Sequence, residues 1–122
     1  MEMARTLAVA RLLLGNEMNI QAPPNLTPDA YSFYLLAGLN DWGGVSPVTL
    51  DHINPTSPWP KLDELHTVTH QAGFILRERL PLYPEFLESA SRFVPSSFVE
   101  SVRMTVDATG LVRETAPTTI KN

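Results

Sequence analysis

Asn40-Asp41-Trp42-Gly43-Gly44-Val45-Ser46-Pro47-Val48-Thr49-Leu50-Asp51-His52-Ile53-Asn54-Pro55-Thr56-Ser57-Pro58-Trp59-Pro60 reads as a short buried strand at residues 42–46 that opens into a long loop. Pro47, Pro55, Pro58 and Pro60, with Pro24 upstream, restrict φ and hold loop shape without regular hydrogen bonding. Gly43 and Gly44 have no Cβ, so a ligand or a second backbone can approach closely where the strand ends. A loop of this composition has the character of a binding rim.

Outward from that stretch, helix and strand signals alternate. Leu7, Ala10, Arg11 and Leu14 follow helical spacing and Gly15 supplies the stop, which predicts an opening helix of about three turns. Residues 18–22 read as a strand ended by Pro23 and Pro24. Thr27 as N-cap, Pro28 at the first position and Asp29 in the first turn predict a second helix that Gly38 ends. Ser57 with Pro58 and Pro60 begins a third, with Leu62, Leu65, Val68 and Ala72 on one face and Gly73 as its end. Residues 74–80 read as a third strand, residues 84–93 as a helix closed by Pro95, and residues 98–106 as a last helix before a polar tail at 115–122. The expected fold class is α/β: about three βα units forming parallel strands with outer helices, one domain at residues 1–114. Right-handed crossovers then bring residues 21–25, 44–55 and 78–83 to one common site. Three strands close no barrel, and their unpaired edges predict an isolated chain that is poorly stable or self-associating.

Composition excludes several classes. With 122 residues, the chain is shorter than the ~200 a complete eight-stranded barrel takes. A net charge of -4 and nine scattered Lys and Arg residues argue against nucleic acid and against an acidic membrane surface. The apolar run near the start, broken by Arg5 and Arg11, is shorter than the ~18 residues of a membrane span, so a cytoplasmic protein is expected. Cysteine is absent, which removes disulfides, zinc thiolates and iron-sulfur ligation by this chain.

Candidate site residues gather at the strand ends. Gln21 and Asn25 carry amides able to read a heterocycle edge, or, in Asn25, to shape a turn. Ser46 and Thr49 offer hydroxyls beside Gly43 and Gly44, with Trp42 as an apolar wall or as plain core. Asp51 and His52 are the candidate proton-moving groups, although adjacent residues point apart. Glu78, Arg79 and Tyr83 form a potential polar clamp in which strand alternation lets only one of Glu78 and Arg79 face inward; Arg79 is the choice. His66 and His70 lie four apart on a helix, yet no glutamate follows His66, so a solvated face is the better reading and no metal site is assigned. There is no Gly-rich phosphate loop and no serine elbow.

Residues 40–60, together with Ile20-Gln21-Ala22-Pro23-Pro24-Asn25-Leu26 before them and Glu78-Arg79-Leu80-Pro81-Leu82-Tyr83-Pro84 after them, resemble the FO synthase family of radical S-adenosylmethionine enzymes. The likeness is to the half that closes the deazaflavin ring, and it runs from about Leu7 to about Glu114. It implies the C-terminal portion of a TIM-type (β/α) barrel. It also implies S-adenosylmethionine and a [4Fe-4S] cluster as cofactors of a full-length enzyme, and ring closure with ammonia loss on a tyrosine-derived ribitylaminouracil adduct. The family holds its cluster with a C-x3-C-x2-C triad upstream of these blocks, which this chain lacks. The expectations that follow are a segment inactive alone that needs a missing N-terminal barrel half, with a fused companion half as a further partner, or else a non-catalytic half-barrel serving as a binding module.

Overall fold

The computed structural model describes residues 2–46 and 48–114. Pro47 and the tail at 115–122 lie outside them. The chain divides into two compact units, Met1–Leu76 and Arg77–Asn122.

In the first unit, α1 (Glu2–Leu14), α2 (Tyr31–Leu36) and α3 (Leu62–Gln71) surround a small core. Leu7 from α1, Tyr31, Tyr34 and Leu35 from α2, Leu65 from α3, and Ile20, Ala22, Leu39 and Trp42 from the connecting segments are all buried together. Leu65 is 1% exposed and forms the centre of the α3 contribution. The apolar spacing of the sequence selects Leu7 and Leu65 for the core, with Ala10, Val68 and Ala72 packed against it, but Leu14 and Leu62, which share that spacing at the helix ends, are exposed. The helices end where glycine permits a positive φ, at Gly15, Gly38 and Gly73.

Helix starts differ from expectation. Thr27 does not cap a helix: it closes a 3-10 turn at Pro24–Leu26, with its hydroxyl turned back to the Pro24 carbonyl at 3.5 Å and its side chain buried. Two successive prolines fix φ for that tight turn, so α2 begins only at Tyr31, without a side-chain cap. Likewise α3 begins at Leu62, not near Ser57, because Pro58 and Pro60 keep the preceding residues extended.

The strands are fewer than expected. Residues 18–22 and 42–46 reduce to one isolated parallel bridge, Gln21 with Asp41, supported by Asn40 N donating to Ile20 O at 3.2 Å and Ala22 N to Asp41 O at 3.1 Å. The direction of pairing is the expected one; a sheet is not formed among the described residues. Residues 74–80 form no strand: Ile75 is 81% exposed, and the segment's cross-chain backbone bond is Val112 N to Glu78 O at 2.9 Å. A strand needs a neighbouring edge to satisfy its polar groups, and apolar alternation alone does not supply one. The structure is accordingly helix-rich with few strands.

The second unit holds a 3-10 turn at Pro84–Ser89, α4 (Ala90–Phe93) and α5 (Ser96–Thr105). Phe86 and Phe93 meet edge to face at 5.3 Å beside buried Ala90. An antiparallel bridge between Val106 and Val112 follows, closed by Asp107 N to Leu111 O at 2.8 Å.

Candidate functional site

The parallel bridge sets the geometry of the first unit's site. Gln21, exposed at the bridge, donates from Nε2 to Asp41 Oδ2 at 3.0 Å. The other carboxylate oxygen, Asp41 Oδ1, accepts from Gly43 N at 3.0 Å. Gly43 has φ +71°, and a Cβ there would stand 3.2 Å from Gln21 Cδ, so the close approach expected at this glycine is made by Gln21 itself. Around Gly44 the space is open.

Beyond the glycines, Ser46 Oγ accepts from Thr49 N at 3.1 Å and from Thr49 Oγ1 at 2.6 Å. Both its lone pairs are engaged, which leaves the Ser46 O–H to donate outward. Ser46 stands at the edge of an open groove of about 290 Å3 lined by Ser46, Trp59, Pro60, Lys61, Leu62 and Asp63. That volume lies just below the ~300 Å3 at which small-ligand sites begin. Trp59 and Lys61 were not singled out by the sequence, where the prolines around them read only as loop stiffening.

Asp51 is turned into the loop. Its Oδ1 accepts from Ile53 N at 2.9 Å and Asn54 N at 3.1 Å, and its Oδ2 accepts from Asn54 Nδ2 at 3.0 Å and Asn25 Nδ2 at 2.8 Å. The Asn54 side chain, first, then the Asn54 backbone and Asn25, lower its pKa to about 2. A carboxylate so held is ionised and occupied near neutrality, and it organises the turn. His52 beside it is exposed. Asn25, 3% exposed, also donates to Ser57 O at 3.1 Å, so both N–H groups of its amide are spent within the chain.

Two buried polar atoms here lack partners among the described residues, Asn25 Oδ1 and Trp42 Nε1. Leaving such a group unpaired costs about 1–3 kcal/mol. Trp42 is core, packed edge-on against Tyr31 at 5.3 Å. Burial, then the carboxylates of Glu64 and Asp29, raises the Tyr31 hydroxyl above its ordinary value.

In the second unit, Arg79 stacks over Tyr83, its guanidinium carbon 4.3 Å from the ring centre, and donates to Leu80 O at 2.8 Å. Arg79 is half-buried and Glu78 exposed. The residue missed there is Arg77: it donates to Asp107 Oδ2 at 2.7 Å and Val112 O at 3.1 Å and lies 3.1 Å from Glu114. Thr109, then Arg77, hold the Asp107 carboxyl far below the usual range. No local signal marks Arg77, because its partners lie 30 residues or more along the chain.

Among the described residues no group of three or more His, Cys, Asp and Glu could hold a metal ion, and His66 and His70 lie exposed on α3. No described helix is long and apolar enough to cross a membrane.

Among the described residues, the first unit's bridge runs parallel between segments joined by a helix, which is the local form of a βα repeat. The chain is homologous to the FO synthases over most of its length. It is 46% identical over 116 residues to FO synthase of Streptomyces avermitilis, spanning 94% of this chain and 14% of that protein. It is 54% identical over 86 residues to 7,8-didemethyl-8-hydroxy-5-deazariboflavin synthase of Methanopyrus kandleri, spanning 70% of this chain and 25% of that one. To the protein of that name in Methanothermobacter thermautotrophicus it is 47% identical over 87 residues, 71% of this chain and 26% of the relative. The chain thus spans a quarter or less of the length of the first two relatives. No family model and no solved structure matches it.

Proposed function

We propose that this chain is a substrate-side segment of an FO synthase, the radical S-adenosylmethionine enzyme of deazaflavin coenzyme biosynthesis, from its ring-closing half. The observation that carries the reading is the match to the named synthases of Streptomyces avermitilis, Methanopyrus kandleri and Methanothermobacter thermautotrophicus, over 94%, 70% and 71% of this chain. In this reading the segment contributes the C-terminal βα units of a TIM-type barrel, and the short parallel pairing of Gln21 with Asp41 is one register of its sheet. The unpaired Trp42 Nε1 and Asn25 Oδ1 support it, since buried atoms of this kind are what a segment shows when a neighbouring element belongs beside it.

The residues of this chain do not fit an iron-sulfur cluster: it has no cysteine. Cluster ligation and the cleavage of S-adenosylmethionine belong to other residues of the full enzyme. What this chain offers is binding. Gln21, Gly43, Gly44, Ser46 and Thr49 form a polar rim for the ribityl and uracil parts of the tyrosine-derived adduct, and Arg79 with Tyr83 forms a second recognition element. The segment alone is inactive, and cyclisation with ammonia loss requires the cluster-bearing remainder. A cytoplasmic location follows from this role.

Co-expression with the cysteine-bearing remainder of the M. kandleri relative tests the proposal. FO fluorescence should appear with both parts present and with neither alone. A folded, cluster-loaded complex that makes no FO would overturn it and favour the second reading, a binding module without catalysis, for which the absence of cysteine is the supporting observation.

A further inference from the structure

We infer that Asn25 is a positioning residue, a latch whose amide fixes the loop at residues 48–60 and so presents Ser46, Thr49 and the groove beside Trp59. The purpose of the latch rests on the binding role proposed above; its existence does not. One Asn25 nitrogen reaches two points of the loop, Asp51 Oδ2 at 2.8 Å and Ser57 O at 3.1 Å, across 26 and 32 residues of chain. Among the described residues the loop's other side-chain bonds are local: Ile53 and Asn54 donate to Asp51, and Thr49 donates to Ser46. The loop is therefore shaped by its own residues and tied down by this amide.

The amide can sit only one way round. Turning it over would set Oδ1 against the Asp51 carboxylate and the Ser57 carbonyl, three acceptors together with no proton among them. In the observed orientation Oδ1 is left buried and unpaired. The donors, not the volume of Asn25, make the latch. Nearby aliphatics do not replace it, because Val48, Leu50 and Ile53 are 87%, 66% and 88% exposed and so add little burial to hold the loop. A loop held by few buried contacts opens locally at low cost once its tie is cut.

Amide hydrogen exchange on the full chain decides the matter without any turnover assay. Asn25→Leu nearly keeps the volume and removes the donors without adding a charge beside Asp51; exchange at Ile53, Asn54 and Ser57 should rise at least tenfold while Val68 and Thr69 in α3 stay as they are. Asn25→Ala, which removes the same donors with a smaller side chain, should release the same loop amides even if the first variant fails to fold. Unchanged loop exchange in either folded variant overturns the latch. A uniform rise that includes Val68 and Thr69 overturns it too, since Asn25 would then support the unit as a whole.

Discussion

The guanidinium of Arg11 lies across Gly38: Nε and Nη2 donate to the Gly38 carbonyl at 2.9 and 2.8 Å, and Cγ stands 2.6 Å from where a Cβ on that glycine would be. The same side chain donates to the carbonyls of Gly15 and Met18, each at 2.7 Å, and to Asn40 Oδ1 at 3.0 Å. One cation therefore ties the end of α1, the segment after it and the end of α2. The carbonyl ends of two helices are where a positive charge is favoured.

Gly38→Ala is expected to be among the most damaging single changes in the first unit. At φ +101° an L side chain costs about 1–2 kcal/mol in backbone strain. Displacing Arg11 adds the loss of charge-assisted bonds, for a total of about 3 kcal/mol or more. Urea unfolding of the variant should show a lower midpoint at unchanged slope, and Arg11→Ala should reproduce most of the loss.

How far the sequence discloses this arrangement depends on the range of the interaction. Helix ends at Gly15, Gly38 and Gly73 and the buried face of α3 are local, written in spacing and in single glycines. Arg11 reads locally as a polar interruption of an apolar helix, because the carbonyls it serves lie as far as 27 residues away. The turn at Thr27 misleads for the opposite reason: its capping signal is sound, but Pro23 and Pro24 commit the backbone first. At the candidate site, the sequence offers Gln21, Asn25, Ser46 and Thr49 as binding residues and Asp51 as a proton-moving group, while their pairings, Gln21 to Asp41 and Asn25 to Asp51, appear only in the fold.

Leu65 tests the helical packing. It is 1% exposed at the centre of the first unit, so Leu65→Ala should cost about 2–5 kcal/mol. Leu62→Ala, on the same helix but 48% exposed, should cost well under half as much. Equal losses in thermal or urea unfolding would show that α3 is not docked as described.

Asp51 predicts how the loop responds to acid. Its pKa is lowered to about 2 in the folded chain from an ordinary 3.8, so its hydrogen bonds stabilise the loop fully above pH ~4 and are lost as pH falls through about 2. The backbone amide shifts of Ile53 and Asn54 should titrate with that midpoint in NMR spectra. A midpoint near 4 would mean that the carboxylate is not held by Asn25 and Asn54 as the geometry has it.

The exposed apolar residues of the first two helices predict association. Leu12 and Leu13 on α1 are 84% and 79% exposed, and Phe33 and Leu36 on α2 are 66% and 71% exposed. Large apolar side chains exposed on two helices that pack together are the kind of surface a partner covers. Sedimentation of the isolated chain should show mass rising with concentration over the micromolar range, and replacing Leu12 and Leu13 with glutamate should lower it. Addition of the cluster-bearing remainder of a relative should suppress the self-association by occupying those residues. A strictly monomeric chain at high concentration, with the leucines in place, would remove the argument that this face awaits a neighbour.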